Sequence, residues 1–124
     1  MLYKDMAVWK LSREVVGDIY RLTRKFPSSE KYGLSSQLQR AAVSVSSNFA
    51  EGKHRKSLKE YVHFVGIAIG SAAEVQCQLS LATAAGLVAE LESNYVSDKI
   101  LRVIYMLSKL RRNLSKNFSG QPTK

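Results

Sequence analysis

The stretch from Gly33 to Tyr61 constrains the fold most, because its pattern predicts two helices joined by a short basic turn. Gly52 follows the first apolar stripe, and we expect it to end that helix as a left-handed C-terminal cap. Ser57 and Glu60 have the spacing of a capping box, which starts a second helix. The sequence therefore predicts an antiparallel hairpin that turns at residues 53–56. Its first stripe, at gaps of three and four, consists of Leu34, Leu38, Ala41, Val45 and Phe49.

Apolar residues at helical spacing mark two further helical segments in the chain, one before and one after the hairpin. Phe26-Pro27 breaks the first helix, because the residue before proline is pushed out of the α region. The predicted helices cover residues 5–25, 30–51 and 58–85, with Gly86 as the stop of the third, and a fourth is clear from Ile100 onward. Its start is open, and Ser93 and Ser97 are candidate caps. The fold class is therefore all-α, an antiparallel up-down-up-down four-helix bundle over residues 1–116 with a flexible tail at 117–124.

The length of the chain suits one domain, and its positive charge suits a polyanionic partner. The chain has 124 residues, a formal net charge of +9 and a calculated pI near 9.9. Such a balance favours nucleic acid as a partner. A second interpretation remains open, in which the basic surface only keeps the protein soluble.

Neither a membrane segment nor an export signal is predicted. The first ten residues mix charges with apolar side chains and contain no cleavage site, and no continuous apolar run approaches the ~18 residues of a membrane span. The one cysteine, Cys77, cannot form an internal disulfide. We therefore expect a cytoplasmic protein.

No constellation of residues predicts catalysis. His54 and His63 lack a cysteine, histidine or carboxylate at metal-ligand spacing, and the glycines of residues 66–71 lie inside a predicted helix rather than in a phosphate loop. We expect no metal, no cofactor and no enzymatic activity. Arg40 and Glu74 are expected to approach each other across the hairpin, with Gln37 opposite Ala72 or Ala73. A pair that fixes register is favoured there over a ligand site.

Two groups of residues are candidate functional surfaces. A stripe of small residues on the third helix predicts close approach of another helix, and its members are Gly66, Gly70, Ala73 and Cys77. The alternative is that these glycines accommodate a bulky core neighbour such as Trp9. The second group gathers at one end of an up-down-up-down bundle and predicts a phosphate-binding surface: Lys53, His54, Arg55, Lys56, Lys109, Arg111, Arg112 and Lys116.

The same region carries a family resemblance. The run from Ser47 to Arg55 has the form SNxAEGxxR, and it resembles the bacterial four-helix-bundle proteins encoded by intervening sequences within large-subunit rRNA genes. Departures are mild, at Leu2, Met6 and Phe49. The remaining matching residues cover the first three quarters of the chain: Phe26, Pro27, Glu30, Tyr32, Gly33, Leu34, Gln37, Arg40, Ser44 and residues 68–71.

The resemblance implies a four-helix bundle that assembles as a homo-oligomer, since some similar proteins form a homopentameric ring with a positively charged surface. The accessory variability proteins of diversity-generating retroelements look related, and they are nonenzymatic partners of a reverse transcriptase and its RNA. By that likeness a reverse transcriptase is a candidate partner here. The leading hypothesis is a non-enzymatic, basic, oligomeric scaffold that binds nucleic acid, RNA in the first place. The alternative is a homo-oligomeric protein-interaction module.

Overall fold

Four long helices form the structure. The computed structural model describes residues 1–119, in which the helices are α1 Ala7–Thr23, α2 Leu34–His54, α3 Leu58–Ala84 and α4 Glu90–Ser119. Short 3-10 turns at Tyr3–Asp5 and Ser28–Glu30 precede α1 and α2. No strand occurs among the described residues, so the predicted all-α fold class is confirmed.

Cross-helix contacts show that successive helices are antiparallel. Ser12 on α1 shares a 2.8 Å hydroxyl contact with Ser46 on α2, and further along α1 the Thr23 hydroxyl accepts from Gln39 at 3.0 Å. Residue numbers therefore rise on α1 as they fall on α2. The same relation holds between α3 and α4, where Gly66 lies beside Arg111 and residue 79 faces residue 93.

Each helix packs against its neighbours in the chain, and α4 closes the bundle against α1. The apolar stripes predicted from the sequence meet in one core. Burying one such side chain stabilises the fold by roughly 1.5–3 kcal/mol. The largest side chains that are almost completely buried are Phe49, Ile19, Leu38, Leu79, Ile100, Leu107, Val15, Val45, Val65, Val75 and Val103.

The ends of α2 differ from the prediction. α2 begins at Leu34 rather than near residue 30, and the Glu30 carboxylate accepts a hydrogen bond from the Leu34 amide at 3.2 Å. At the other end α2 runs through Gly52 to His54, and Arg55 is the first extended residue. The predicted left-handed cap at Gly52 is therefore wrong. The hairpin itself is present, and its turn is Arg55 to Ser57.

A left-handed glycine does end α3, as the sequence predicts. Gly86 has φ +77°, and it is the only positive-φ glycine or other residue in the described part of the chain. The Leu87 amide donates to the Ala82 carbonyl at 2.9 Å and the Gly86 amide donates to the Thr83 carbonyl at 3.0 Å. These two bonds form a Schellman motif, which satisfies carbonyls that the helix end leaves free.

α4 starts earlier and ends later than predicted. It begins at Glu90, so Ser93 and Ser97 lie within the helix, and Ser93 is buried against α3. Neither serine caps α4. The helix continues to Ser119, so residues 117–119 belong to α4 and not to a tail. The remaining residues of the predicted tail, 120–124, lie outside the described residues.

α3 is the most apolar of the four helices. Over residues 1–119 it is the one helix whose length and composition would allow it to cross a membrane, with a mean hydropathy of 1.3 over 18 residues. The core helix of a bundle passes the same test, and α3 packs between α2 and α4. Only 33% of that window is buried, however, so α3 also presents apolar surface outside the core.

Candidate functional site

Arg55 holds the α2–α3 turn together. Its Nε lies 3.3 Å from Glu51 Oε2 on α2 and 3.3 Å from Glu60 Oε1 on α3, and its guanidinium lies 4.9 Å from the centre of the Phe64 ring. Each exposed pair alone contributes at most about 1 kcal/mol. Together they connect both helices to the turn, and two carboxylates offset the charge of Arg55.

The predicted capping box at the start of α3 is half formed. The Ser57 hydroxyl accepts a hydrogen bond from the Glu60 amide at 3.0 Å, as the spacing predicts. The Glu60 carboxylate, however, pairs with Arg55 instead of the Ser57 amide. Since Ser57 still satisfies one free amide of the first turn, the serine cap is confirmed and the reciprocal bond is not present.

The other basic residues of the turn lie near aromatic rings or face solvent. Lys53 Nζ is 5.8 Å from the centre of the Tyr61 ring, and the His54 ring is 5.8 Å from the ring of Tyr3. Burial raises the pKa of the Tyr61 phenol, which therefore stays neutral beside Lys53. Lys56 is exposed.

The C-terminal half of α4 brings further cations to the same end of the bundle. Arg111 lies against Gly66 of α3, with 3.5 Å between the Arg111 guanidinium carbon and a Cβ built on the glycine. The last turns of α4 therefore run beside the first turns of α3. Within residues 1–119, none of the four predicted cations of α4 forms an ion pair, and all are exposed: Lys109, Arg111, Arg112 and Lys116.

We call this surface the cationic end, defined by Lys53, His54, Lys56, Lys109, Arg111, Arg112 and Lys116. Lys59, in the first turn of α3 and exposed, belongs to the same surface and was not among the predicted residues. Its signal in the sequence was its position three residues after Lys56. The structure therefore gathers the predicted cations at one end, as the topology predicts.

Three cations in the other half of the bundle form ion pairs. Lys25 Nζ is 3.1 Å from Glu92 Oε2, and Arg21 pairs with Asp18. Lys99 Nζ lies 3.0 Å from Asp18 Oδ2 and 3.2 Å from Glu14 Oε1. Arg24 and Lys31 of that half form no ion pair among residues 1–119, so the cationic end differs from it in having more unpaired cations.

Lys99 is held in its charged form. Burial by itself lowers the pKa of this ammonium group, but hydrogen bonds to Tyr95 and Glu14, together with their charges, raise it by more. The net effect is a raised pKa for Lys99. At neutral pH Lys99 therefore stays charged and paired with Asp18 and Glu14, and these ion pairs join α4 to α1.

The predicted oligomer stripe lies on the outside of the bundle. Gly70, Ala73 and Cys77 are exposed, and a Cβ built on Gly70 meets no atom within 4 Å. Gly66 is half-buried beneath Arg111. Trp9 packs on Tyr3, and α1 makes no contact with α3. The alternative role of these glycines, to accommodate Trp9, is therefore wrong.

A polar groove lies between α2 and α3. Its volume is about 520 Å³ and its lining is Gln37, Arg40, Ala41, Ser44, Glu74 and Gln78. Because Ser44 meets Ser71 across the helix pair, Gln37 faces Gln78 and not Ala72 or Ala73 as predicted. Arg40 and Glu74 do line one groove, but within residues 1–119 no ion pair joins them. The expected register pair is therefore absent.

Within the described residues, no group of three or more histidine, cysteine, aspartate or glutamate side chains could hold a metal ion. Cys77 is an exposed free thiol. Among residues 1–119, polar and charged side chains that could bind a ligand therefore cluster in two places. These are the cationic end and the polar groove between α2 and α3.

Comparisons with known proteins agree with this architecture. The sequence model described as 23S rRNA-intervening sequence protein matches residues 4–109. A solved structure from Bacteroides thetaiotaomicron, described as a protein with unknown function from the S23 ribosomal protein family, has a TM-score of 0.79 to this chain. The two share 19% sequence identity, and the match covers 85% of this chain and 98% of the other. No curated protein matches the chain.

Proposed function

Since the chain belongs to the 23S rRNA-intervening sequence protein family, we propose that it is a non-enzymatic, basic, oligomeric bundle that binds RNA through phosphate contacts. The observation that carries this proposal is the cationic end, where exposed lysines and arginines have no carboxylate partner within residues 1–119. Lys and Arg side chains neutralise phosphates and release counterions, which gives affinity without sequence preference.

Arg55 has a separate role in this proposal. Its guanidinium is committed to Glu51 and Glu60, so it shapes the turn and leaves phosphate binding to its neighbours. Lys53 lies beside the Tyr61 ring, but that ring is half-buried against the core and is no exposed platform for stacking, so the proposed contacts are to phosphates.

Oligomerisation is the second part of the proposal, and the outer face of α3 supports it. Ile67 and Leu81 flank the small residues of the stripe and are 38% and 53% exposed. An apolar helix with an outward face of small residues allows a second backbone to approach closely. A homopentamer, as the family likeness implies, would repeat the cationic end around a ring and raise the local potential.

Substitution of three cations tests RNA binding. We expect the variant K56Q/R112Q/K116Q to bind a mixed-sequence single-stranded RNA more weakly in fluorescence anisotropy titrations at ~50 and ~200 mM salt. The slope of log affinity against log salt should become less steep by about 0.7 for each phosphate that the variant no longer neutralises.

A matched variant in the other half of the bundle controls for net charge. R24Q/K25Q/K31Q removes the same charge, and we expect it to retain most of the affinity and the slope of the wild type. Circular dichroism should show the same helix content for all three proteins. Equal losses in both variants would show that only total charge matters, and a wild type that binds no RNA at low salt would contradict the proposal.

The alternative, an interaction module whose oligomer is the functional object, rests on the exposed apolar residues of α3. It predicts assembly in the absence of RNA binding. Light scattering on the wild type, combined with the anisotropy titration, separates the two functions.

A further inference from the structure

We propose that the polar groove between α2 and α3 is a pocket for a guanine base. This inference extends the proposed RNA binding, because it assigns a base-reading site beside the phosphate-binding end. The groove is large enough for a nucleobase, at about 520 Å³.

The charged side chains that line the groove do not pair with each other. Arg40 and Glu74 are both exposed, and among residues 1–119 neither forms an ion pair or side-chain hydrogen bond. Gln78 also lines the groove, and its Oε1 is a buried oxygen atom with no hydrogen-bond partner in the described residues. A buried acceptor without a donor is costly, so a ligand that supplies a donor gains from it. Gln78 lines the groove, and its terminal torsion is broad, so its carboxamide can rotate to meet a ligand there.

One wall of the groove is fixed by hydrogen bonds between the helices. The hydroxyls of Ser44 and Ser71 are 2.8 Å apart, and Asn48 Nδ2 donates to the Ser44 hydroxyl at 2.9 Å. The serine hydroxyl is therefore occupied. The groups left for a ligand are the guanidinium of Arg40, the carboxylate of Glu74 and the carboxamides of Gln37 and Gln78.

This set of donors and acceptors fits guanine better than the other bases. The O6 and N7 atoms of guanine accept from arginine, and its N1–H and N2 amino group donate to carboxylate and carboxamide oxygens. Adenine presents an amino group where guanine has O6, so it would set a donor against Arg40. The charges of Arg40 and Glu74 cancel, so the groove offers a phosphate little net attraction.

The groove lies within reach of the cationic end. Arg40 precedes Arg55 by 15 residues (55 − 40), or ~22 Å along α2 at 1.5 Å per residue. A strand whose phosphates contact the cationic end can follow the α2–α3 boundary and place a base at Arg40. Unstacked bases of single-stranded RNA expose the edges that such a site reads.

The test compares three RNA decamers that differ at one position: all adenosine, one central guanosine, and one central inosine, which lacks the N2 amino group. We expect the wild type to bind the guanosine decamer roughly ten-fold more tightly than the adenosine decamer, with inosine between them. Glu74→Gln should reduce this ratio, because a carboxylate accepts from N1–H and the N2 amino group with both oxygens, whereas a carboxamide accepts with only one of its two terminal atoms. Glu90→Gln, which neutralises an exposed carboxylate on α4, is the matched control and should keep the ratio.

A second arm separates this inference from the proposed function. Guanosine monophosphate, and not adenosine monophosphate, should shift the side-chain amide signals of Gln37 and Gln78 in nuclear magnetic resonance spectra. Equal affinity for the guanosine and adenosine decamers overturns the guanine pocket but leaves phosphate-driven RNA binding intact. If no decamer binds, the proposed function fails, and the monophosphate arm alone decides the pocket: unshifted Gln78 signals overturn it.

Discussion

Gly52 on α2 lies directly against Phe64 on α3: a Cβ built on the glycine would come within 3.0 Å of the Phe64 Cβ. The same built atom would be 3.1 Å from Tyr61 Cδ1 and 3.4 Å from the Tyr61 carbonyl oxygen. Two of these three neighbours are fixed by the α3 backbone, so they cannot move aside without shifting the helix. The absence of a side chain at residue 52 therefore sets how closely the hairpin closes.

We expect Gly52→Ala to lower the free energy of unfolding by about 1–3 kcal/mol through overpacking. The gain in helix propensity, up to ~1 kcal/mol, offsets only part of this decrease. Gly17→Ala is the matched control, because its nearest atom is the mobile Arg21 Nη1 at 3.9 Å, and it should be stabilising. Urea unfolding measures both. A Gly52→Ala protein as stable as the control would contradict the close approach.

The proposed oligomer interface is tested at Gly70. A Cβ at this position meets no atom of its own protomer, so Gly70→Glu should keep the helix content of the wild type while it blocks association through α3. Gly17→Glu introduces the same charge on the exposed face of α1 and should leave assembly unchanged. Multi-angle light scattering distinguishes the two. An oligomer that survives Gly70→Glu would place the interface on another face.

The buried carboxylate of Asp18 is expected to matter for stability. Asp18 is 3% exposed and pairs with Lys99 and Arg21, whereas Lys99 retains Glu14 as a partner when Asp18 is changed. We expect Asp18→Asn to cost about 1–3 kcal/mol, because it removes a charged hydrogen-bond partner at a buried position. Glu92→Gln removes the exposed pair with Lys25 and should cost less than about 1 kcal/mol. Similar costs from both variants would show that burial of Asp18 adds nothing.

Stability should decline in alkaline solution. The pKa values of Tyr61 and Lys99 are raised in the folded state, so the folded chain keeps these protons to higher pH than the unfolded chain. Their contribution is complete below the unfolded values near 10 and is lost as pH rises through the raised folded values. Urea unfolding at several pH values measures the decline. We expect Tyr61→Phe to make it shallower, and Tyr32→Phe, at an 88% exposed ring, to leave it unchanged.

The helices and their order were predictable because their signals are local. Apolar periodicity, the Ser57 cap and the Gly86 stop each depend on a few neighbouring residues, and all three hold. The role of Gly52 was not predictable in this way. A glycine that ends a helix and a glycine that admits another helix look the same in one sequence, and here the partner Phe64 decides between them.

The register of the hairpin shows how a small error at one end propagates. α2 ends at His54, three residues later than predicted, and the partner of Gln37 across the hairpin moves from residue 72 to 78. The gathering of cations at one end survived this shift because it depends on topology alone. The pairing of Arg55 with two carboxylates did not follow from topology, since it requires side-chain geometry within the turn.

The contact between α1 and α4 differs from the other three because it joins distant parts of the chain. Lys99 and Asp18 are 81 residues apart in sequence, and Lys25 and Glu92 are 67 apart, whereas a short turn connects every other neighbouring pair. Loop closure over such distances costs more conformational entropy than closure of a hairpin. Folding therefore favours an early α2–α3 hairpin, with α1 and α4 meeting last. In native-state hydrogen exchange, we expect the amides of α1 to open at lower free energy than those at the centre of α3.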